Sequence, residues 1–440
     1  MEIVSAPRSL GQRTRRKIAL RILPFLFLLY MVAYLDRANV AFAKLAMSGD
    51  LGFSDAVFGF GAGIFFLGYF LLEIPGALIV EHWSARRWIA RILVTWGIFT
   101  VLVGFVRTAQ QFYWARFLVG AAEAGFFPGI IIYLTHWFPK ADRARAMAGF
   151  IMAAPLSLAI GAPLSALIMR LDWFGWPGWR WVFVLEGLPA IILGGVTLYY
   201  LTDHPRQAGW LTPEERQWIE AKLDEEAREK KRHGHFSLWS GLKQRNVYLL
   251  AFGCFFANIA GYGFIFWLPT SLQRSSGLSV TLSNLCATLP FALAVLSVFL
   301  NGRASDRSGE RRLHACIPML TSAVLLFVSA LPGQPFWLVM FWLSLAGASV
   351  FAWNPVFWVL PTLTLGESAA AASIGFINSV GNLGGFVGPS ILGLLLSRSH
   401  SFLSAVSVLC ICYLVSATLT FLVTVPRAVP LTPQKAEATV

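Results

Sequence analysis

The sequence predicts an all-α, polytopic membrane protein whose twelve transmembrane helices form two pseudo-symmetric six-helix bundles. Three observations predict this class: an apolar composition, twelve apolar runs, and a loop motif that recurs in both halves. Of the 440 residues, 57% are apolar and only 13% are charged, whereas soluble domains carry about 25% charge. The net charge of +13 comes from residues scattered between apolar runs, which argues against a nucleic-acid-binding surface.

The spans can be placed because a bilayer-crossing helix needs about 20 predominantly apolar residues. Backbone groups in lipid must bond internally, and the apolar runs lack the period-two alternation of barrel strands, so each run is predicted to be an α-helix. The first six spans are predicted near residues 19–43, 57–80, 88–106, 111–136, 145–169 and 181–202. The second six are predicted near residues 247–272, 281–301, 312–331, 336–361, 369–396 and 402–424.

A polar segment divides the chain into two halves. We expect a first bundle at residues 1–202, a linker at 203–245 and a second bundle at 246–440. The linker contains Thr-Pro-Glu-Glu at 212–215, which is a capping box with proline at the first helical position. The helix that follows carries its apolar residues on one face, so it is predicted to lie on the membrane surface or on the bundle. A solvated linker helix without a partner is the simpler expectation.

The distribution of Lys and Arg among the loops predicts the orientation. The N-terminal segment and the loops after spans two, four and eight carry several each, whereas the opposite loops mostly carry single cations such as Lys44 and Arg274. The positive-inside rule therefore predicts that both termini are cytoplasmic. The chain has no Asn-x-Ser/Thr sequon, which favours the inner membrane of a bacterium. The five cysteines show neither metal nor disulfide spacing, so no metal or cofactor is expected.

The loops after spans two and eight share one sequence frame, at residues 77–87 and 302–312. Small residues, a carboxylate and arginines recur at the same offsets, a duplication typical of two equivalent bundles that rock about a central site. We expect the carboxylates to pair with arginines or a helix N-terminus across the cytoplasmic closure and so to form a gate. The candidate gating residues are Glu81, Arg86 and Arg87 in the first copy and Asp306, Arg307, Arg311 and Arg312 in the second.

The second copy resembles the loop signature of the major facilitator superfamily. It reads Gly-x3-Asp-Arg-x-Gly-x-Arg-Arg at 302–312 and fits that signature throughout. The first copy departs from it at Ala77, Glu81, His82 and Ser84 but keeps a carboxylate at the same offset. The resemblance implies the major facilitator fold and transport by alternating access.

Further motifs are similar to those of the anion:cation symporter family, in its tartrate, phthalate and hydroxyphenylacetate branch. They cover nearly the whole chain and include Tyr-Leu-Asp-Arg-Ala-Asn at 34–39, the glycine-containing segment at 116–129 that begins with Arg116, Trp-Leu-Thr-Pro-Glu-Glu-Arg at 210–216, and Gly-Asn-Leu-Gly-Gly-Phe-Val-Gly-Pro at 381–389. This resemblance implies proton-coupled uptake of a small organic carboxylate such as tartrate, a sugar acid, phthalate or a hydroxyphenylacetate.

Six ionisable residues lie inside predicted spans, where each costs about 2.5–3.5 kcal/mol at a helix centre. They are Asp36, Arg37, Glu73, Arg116, Glu123 and Glu186. The planar fork of arginine binds two carboxylate oxygens at once, so Arg37 and Arg116 are predicted to bind substrate. Together with Asp36 and Glu123 they sum to zero charge, and a bound anion would leave excess negative charge. Asp36 and Glu123 are therefore predicted to take up the coupled proton.

Each buried charge also has a structural interpretation. Arg37 could instead lock a neighbouring carboxylate in an ion pair, and Arg116 is as readily a coupling partner as a direct ligand contact. Glu73 and Glu186 lie nearer the ends of their spans, so a structural role is favoured for both.

The second half has no clear charge within its spans, so its candidates are neutral polar and aromatic side chains. The residues predicted to line the binding cavity are Asn258, Tyr262, Trp358, Asn378 and Asn382, together with Tyr34 and Tyr69 of the first half. Asn378 and Asn382 lie one turn apart on one helix face and could bind hydroxyls or a distal carboxylate. Interhelical contacts are the alternative for the asparagines, and packing or interface anchoring is the alternative for the rings.

Two other functions compete with carboxylate uptake. Proton-driven efflux of a drug or metabolite would use the same architecture, although two buried arginines would repel a cationic drug. A carboxylate sensor that does not transport would use the same cavity. The chain lacks metal-ligand spacing, a phosphate loop and a nucleophile elbow, which argues against an enzyme. The expected partners are a small organic anion, protons and the lipid bilayer, and the expected oligomeric state is a monomer.

Overall fold

The computed structural model describes residues 9–232, 244–364, 367–399 and 401–425. These residues form α-helices and two short 3-10 turns, with no strand among them. The helices of the first half and the linker are α1 (Leu10–Leu51), α2 (Asp55–His82), α3 (Ala85–Val103), α4 (Ala109–Glu123), α5 (Phe126–Trp137), α6 (Lys140–Ile151), α7 (Ala153–Ile168), α8 (Gly178–Tyr200) and α9 (Pro213–Arg232). Those of the second half are α10 (Arg245–Ser276), α11 (Val280–Cys286), α12 (Thr288–Ser308), α13 (Arg312–Ser329), α14 (Phe336–Ala352), α15 (Asn354–Phe357), α16 (Leu360–Thr364), α17 (Glu367–Ser399) and α18 (Phe402–Phe421).

The predicted spans correspond to these helices. In the described ranges, ten helical segments are long and apolar enough to cross a membrane. The other two predicted spans fall on α3, whose first turns contain the loop arginines, and on α6 with α7. The first span differs from its prediction at 19–43, because α1 extends from Leu10 to Leu51. Its limits are set by a Ser9 N-cap and by Gly52 at φ 67, both common helix terminators.

The fourth span is broken inside the first bundle. Helix α4 ends at Glu123, and α5 begins at Phe126 after Gly125 adopts φ 84, a conformation that suits glycine. Glu123 therefore lies at a helix C-terminus, where the partial negative charge of the last carbonyl groups disfavours an ionised carboxylate. A nearby cation is needed to compensate it.

The two bundles meet along three helix pairs related by the internal repeat. Helix α2 packs against α17, α7 packs against α11 and α12, and α1 packs against α10. Glycines bring α2 and α17 into backbone contact: a Cβ on Gly59 would overlap the carbonyl oxygen of Pro389, and one on Gly63 would overlap that of Phe386. We call the row formed by Gly59, Gly63 and Gly393 the glycine seam. Small residues at such a crossing let helices pack closely in a membrane.

The linker helix α9 lies against the first bundle, at the end of the molecule where α1 begins. We call this end the linker face, and the opposite end, where Leu51 is followed by α2, the far face. Glu215 of α9 pairs with Arg13 at 3.2 Å and with Lys17 at 2.8 Å, both on α1. The predicted capping box is formed, since Thr212 N–H donates to Glu215 and Glu215 N–H donates to Thr212 Oγ1.

The same contacts set the ionisation of Glu215. Burial alone would raise its pKa, but hydrogen bonds from Lys17 and the backbone of Thr212, with the charges of Lys17 and Arg13, hold the pKa below its ordinary value. Of the two predicted positions for the amphipathic helix, the structure thus shows α9 on the bundle.

Candidate functional site

A cavity lies between the two bundles and is lined by both. Of the nine residues predicted to bind substrate, eight line it and Arg116 does not. The eight are Tyr34, Arg37, Tyr69, Asn258, Tyr262, Trp358, Asn378 and Asn382. Further lining residues were not predicted as ligands, among them Tyr30, Phe127, Cys254, Phe351 and Asn354. The cavity is therefore aromatic and amide-rich, with one arginine in its wall.

That arginine, Arg37, is held by an ion pair within the first bundle. Its Nη2 lies 2.6 Å and its Nε 2.7 Å from Glu123 Oε1. The guanidinium also lies 5.3 Å from the ring of Tyr34 and 5.0 Å from that of Tyr69, within cation–π range. Glu123 is fully buried, and its Oε2 has no hydrogen-bond partner among the described residues. Arg37 thus faces the cavity while it compensates the carboxylate at the end of α4.

Asp36 points away from the cavity, although it is adjacent to Arg37 in sequence. It is fully buried, and its carboxylate accepts hydrogen bonds from Trp96 Nε1 at 2.7 Å and from Asn39 Nδ2 at 3.3 Å. Neighbouring residues on a helix point about 100° apart, which accounts for the different partners of Asp36 and Arg37. Trp96 was not predicted, because nothing in the pattern of α3 indicates which helix its indole faces.

Arg116 lies behind the cavity wall. It is 1% exposed, its guanidinium lies 5.0 Å from the ring of Phe65, and neither its Nε nor its Nη2 has a hydrogen-bond partner in the described part of the chain. Direct substrate contact is not supported by this geometry, because Phe65 covers the guanidinium. The alternative role, as an electrostatic partner of the neighbouring carboxylates, fits better.

Two further buried carboxylates have neutral partners. Glu186 accepts a hydrogen bond from Ser165 Oγ at 2.6 Å within the first bundle. Glu73 accepts hydrogen bonds from Asn378, from Ser379 at 3.1 Å and from Asn382 at 3.5 Å, all on α17 of the second bundle. Ser379 was not predicted, because its position between the two asparagines says nothing about a carboxylate on another helix.

The predicted gate on the linker face has its partners within each bundle. Asp306 pairs with Arg311 of its own loop at 2.7 Å, although its side chain is 74% exposed. Arg312 donates to the carbonyl oxygens of Phe421 and Val423 at the end of α18. No contact across the two bundles was found for these residues in the described ranges, so the expected pairing across this face is absent from this structure.

The first copy of the motif also makes its contacts without reaching the other bundle, in the described part of the chain. The backbone N–H of Arg86 donates to Asp203 Oδ1 at 2.8 Å, and the Arg86 guanidinium donates to the carbonyl oxygen of Leu198. Arg87 N–H donates to Ser84 Oγ as part of the N-cap of α3. Asp203, at the start of the linker, is thus the carboxylate that holds this loop, and it was not predicted. The side chain of Glu81 lies outside the described residues.

One other gating prediction, Arg307, and one missed cluster complete the description of the two faces. Arg307 is exposed near the end of α12. On the far face, Lys44 Nζ lies 3.1 Å from Asp55 and 3.0 Å from Thr270 Oγ1, and Asp55 pairs with Arg274 at 2.6 Å. Lys44 is only 2% exposed.

This far-face triad, Lys44, Asp55 and Arg274, joins the bundles, because Lys44 and Asp55 belong to the first half and Arg274 to the second. It was missed because Lys44 and Arg274 were interpreted only as single loop cations. The spacing of Arg37 and Lys44, seven residues apart on one helix, could have indicated that Lys44 faces the same interior.

Comparisons with known proteins agree with this architecture. The family profile described as Major Facilitator Superfamily matches residues 26–389. A protein of Agrobacterium vitis named as a tartrate transporter is 45% identical over 394 residues, which are 89% of this chain and 90% of that protein. A quinolone resistance transporter of Acinetobacter baumannii is 36% identical, with 93% of this chain and 94% of that protein covered.

The fold has a solved counterpart. A bacterial homologue of the human lysosomal transporter Spinster, in an inward-facing and unoccupied conformation, aligns with a TM-score of 0.75 at 18% identity. The alignment covers 93% of this chain and 97% of that structure. The family match covers most of the chain, and the relatives above 30% identity extend over nearly all of it. The chain belongs to the major facilitator superfamily and is an integral membrane transporter.

Proposed function

We propose that this transporter takes up a small organic carboxylate together with protons. The observation that carries the proposal is the Arg37–Glu123 ion pair at the cavity wall. It presents to the cavity a guanidinium that binds carboxylates well, and the partner of that guanidinium is a carboxylate that can accept a proton.

The coupling follows from the charges around this pair. When a substrate carboxylate takes the guanidinium of Arg37, Glu123 loses its closest cation. An ionised carboxylate that is buried, at the end of α4 and without a paired cation is costly. Binding a proton at Glu123 restores neutrality, so anion binding and proton binding favour each other. Asp36, buried against Trp96, is the second proposed proton carrier, and Arg116 compensates whichever carboxylate is ionised.

The cargo class is supported by the same site and by the relatives. Four tyrosines, Tyr30, Tyr34, Tyr69 and Tyr262, and several amides line the cavity with Arg37, which suits a small hydroxylated or aromatic acid. The relatives at 45% and 43% identity are named as tartrate transporters. Tartrate, sugar acids, phthalate and hydroxyphenylacetate are the proposed substrates.

A second candidate function is proton-driven efflux, which the relative named as a quinolone resistance transporter favours. Its cargo would be anionic or zwitterionic, since Arg37 disfavours a cation. Carboxylate sensing without transport is a third candidate, since the same cavity could bind a carboxylate without moving it across the membrane.

We further propose that the linker face is cytoplasmic and the far face is external, in a bacterial inner membrane, with the protein acting as a monomer. The basic loops at the linker face support this orientation. We also propose the bundle bounds that the sequence predicts, residues 1–202 for the first bundle and 246–440 for the second.

The test uses purified protein in proteoliposomes with an imposed pH gradient. An acid exterior should drive tartrate above its equilibrium level, and collapsing the gradient with an ionophore should abolish the accumulation. Glu123→Gln cannot bind the coupled proton, so it should lose accumulation but keep exchange of internal for external tartrate.

Three results would contradict the proposal: accumulation that ignores the pH gradient, gradient-driven accumulation by Glu123→Gln, or the absence of any carboxylate flux. Export of tartrate or of a quinolone under the same gradient would support the efflux candidate instead. Tartrate binding without flux would support the sensor.

A further inference from the structure

One buried carboxylate joins the two bundles beside the cavity and has no part in the proposed coupling. Glu73, on α2, is 5% exposed. Its described partners are neutral donors of α17: Asn378 donates to Oε1, while Ser379 and Asn382 donate to Oε2 at 3.1 and 3.5 Å. The carboxylate is therefore held by hydrogen bonds from the opposite bundle rather than by a cation.

The donors that hold Glu73 belong to the substrate cavity. Asn378 and Asn382 line it together with Arg37, and they lie one turn apart on the same face of α17. Two side-chain amides and a hydroxyl converging on two oxygens make a carboxylate receptor without a fixed charge. In this structure the receptor is filled by a carboxylate of the protein itself.

We propose that Glu73 is an internal placeholder for the second carboxylate of a dicarboxylate substrate. This rests on the proposed function, in which Arg37 binds the first carboxylate. Two carboxylates on the same three donors repel each other, so the distal carboxylate of the substrate displaces Glu73. A monocarboxylate binds Arg37 and leaves Glu73 in place.

Two consequences follow for specificity and for the transport cycle. Glu73 makes the site distinguish dicarboxylates from monocarboxylates, because only a substrate with two carboxylates can replace it on the donors of α17. Displacement also removes the hydrogen bonds between α2 and α17 near the cavity, so a dicarboxylate loosens a contact between the bundles as it binds. Glu73 is thus a specificity-determining residue that acts through the donors of α17.

The test compares two acids of the same carbon chain. Tartrate has a carboxylate at each end, and threonate has a hydroxymethyl group in place of one of them. In Glu73→Gln the side chain keeps its shape but loses its charge, so it competes less well for the donors. The dissociation constant for tartrate, measured by isothermal titration calorimetry on purified protein, should fall about tenfold, the effect of one hydrogen bond to a charged group. That for threonate should change less than about twofold.

A second variant approaches the same donors from the other bundle. Asn378→Ala removes a donor that Glu73 and the distal carboxylate would share, so with Glu73 present the two losses offset each other. Made in Glu73→Gln, where the competing charge is gone, Asn378→Ala should weaken tartrate binding about tenfold and leave threonate binding unaffected. Glu186→Gln is the matched control, because Glu186 is a buried carboxylate of the same bundle that accepts a hydrogen bond from Ser165, and neither residue lines the cavity. It should leave the ratio of the two dissociation constants unchanged.

The outcomes separate this role from the proposed function. If Glu73→Gln, or Asn378→Ala made in that variant, shifts both acids equally, or if Glu73→Gln weakens tartrate binding, Glu73 is only a contact between helices and the placeholder role is overturned. If the wild-type protein binds neither acid, the proposed function fails and this role fails with it. A change confined to tartrate supports the role.

Discussion

The two bundles face one cavity with different chemistry. The first contributes ions, since Arg37 lines the cavity while Asp36, Arg116 and Glu123 are buried behind it. The second contributes neutral amides and rings, such as Asn258. Carboxylates can change charge during a cycle, whereas amides cannot, so among the described cavity residues and their neighbours the proposed proton coupling falls to the first bundle. Under the proposed function, energy coupling and recognition of substrate shape are separated between the two halves.

The separation of roles between the bundles would be contradicted if replacing a neutral group of the second bundle reduced uptake as much as replacing Arg37. Arg37→Ala removes the only described cation that lines the cavity and leaves Glu123 buried without its ion pair, a change that costs about 3–5 kcal/mol when a buried pair is broken. Tartrate uptake should fall more than about 100-fold, measured as initial rates in proteoliposomes.

Arg37→Lys is the matched control, because it keeps the charge but not the two-pronged geometry. It should retain residual uptake. Normal transport by Arg37→Ala, in protein with an unchanged gel-filtration profile, would remove the arginine from the site.

In the far-face triad, unlike in the cavity, both bundles contribute charged residues. A test of the triad therefore separates charge used to hold the bundles together from charge used at the cavity. Asp55→Asn leaves Lys44 buried without a counter-ion, which destabilises the closed far face by about 3 kcal/mol. The far face should then open more often, by about 100-fold. The readout is labelling of Cys254, a cavity residue, by a membrane-impermeant maleimide in protein whose other four cysteines are replaced.

Asp50→Asn is the control for this experiment. Asp50 is also acidic and near the far face, but it accepts a hydrogen bond from Trp179 within the first bundle. Its replacement should leave the labelling rate as in the parent. Equal rates for Asp55→Asn and the parent would show that the triad does not hold the bundles together.

The amides of the second bundle should have smaller effects than Arg37. Among the described residues, the amide nitrogen of Asn258 donates only to Cys254 Sγ, at 3.8 Å, so it is available to a substrate hydroxyl. Asn258→Ala should weaken tartrate binding about tenfold or less without changing how uptake depends on the pH gradient. A changed gradient dependence would contradict the separation of roles between the bundles.

The smallest effect is expected at the linker, which is attached to the first bundle. Glu215→Gln removes the pairs with Arg13 and Lys17 and should lower the free energy of unfolding by about 1–2 kcal/mol. Since contacts in the folded state lower the pKa of Glu215, its stabilisation is complete above the unfolded pKa and is lost as pH falls through the folded one.

The melting temperature in detergent provides the measurement. The difference between the parent and Glu215→Gln should be largest at neutral pH and should shrink on acidification. A difference that grows towards acidic pH would contradict the assigned contacts.

The spans and the buried charges could be predicted from the sequence because both depend on composition along one dimension. Apolar runs of membrane length predict helices whatever their neighbours are, and a charge within such a run is conspicuous. Polar and aromatic side chains within such runs can be picked out in the same way, and eight of the residues predicted to bind substrate line one cavity.

Partners across helices could not be predicted, because they depend on how each helix is rotated and how deep it lies. Trp96 is one of 17 tryptophans, and only the rotation and depth of α3 in the bundle bring its indole to Asp36. Ser379, Thr270 and Asp203 were missed for the same reason. The gate at Asp306 stays a prediction. In this structure Asp306 pairs with Arg311 of its own loop, and a motif specifies which charges are present but not the conformational state.

The glycine seam offers positions at which a single substitution can hold the transporter in one conformation. On it α2 and α17 touch through their backbones, and even a methyl group on Gly59, Gly63 or Gly393 would overlap a carbonyl oxygen of the facing helix. A bulky residue there acts as a wedge: it is incompatible with the closed far face and is accommodated only when the helices part. Gly59→Leu should therefore hold the transporter open at the far face, and such a locked form would give binders and inhibitors a single state to recognise.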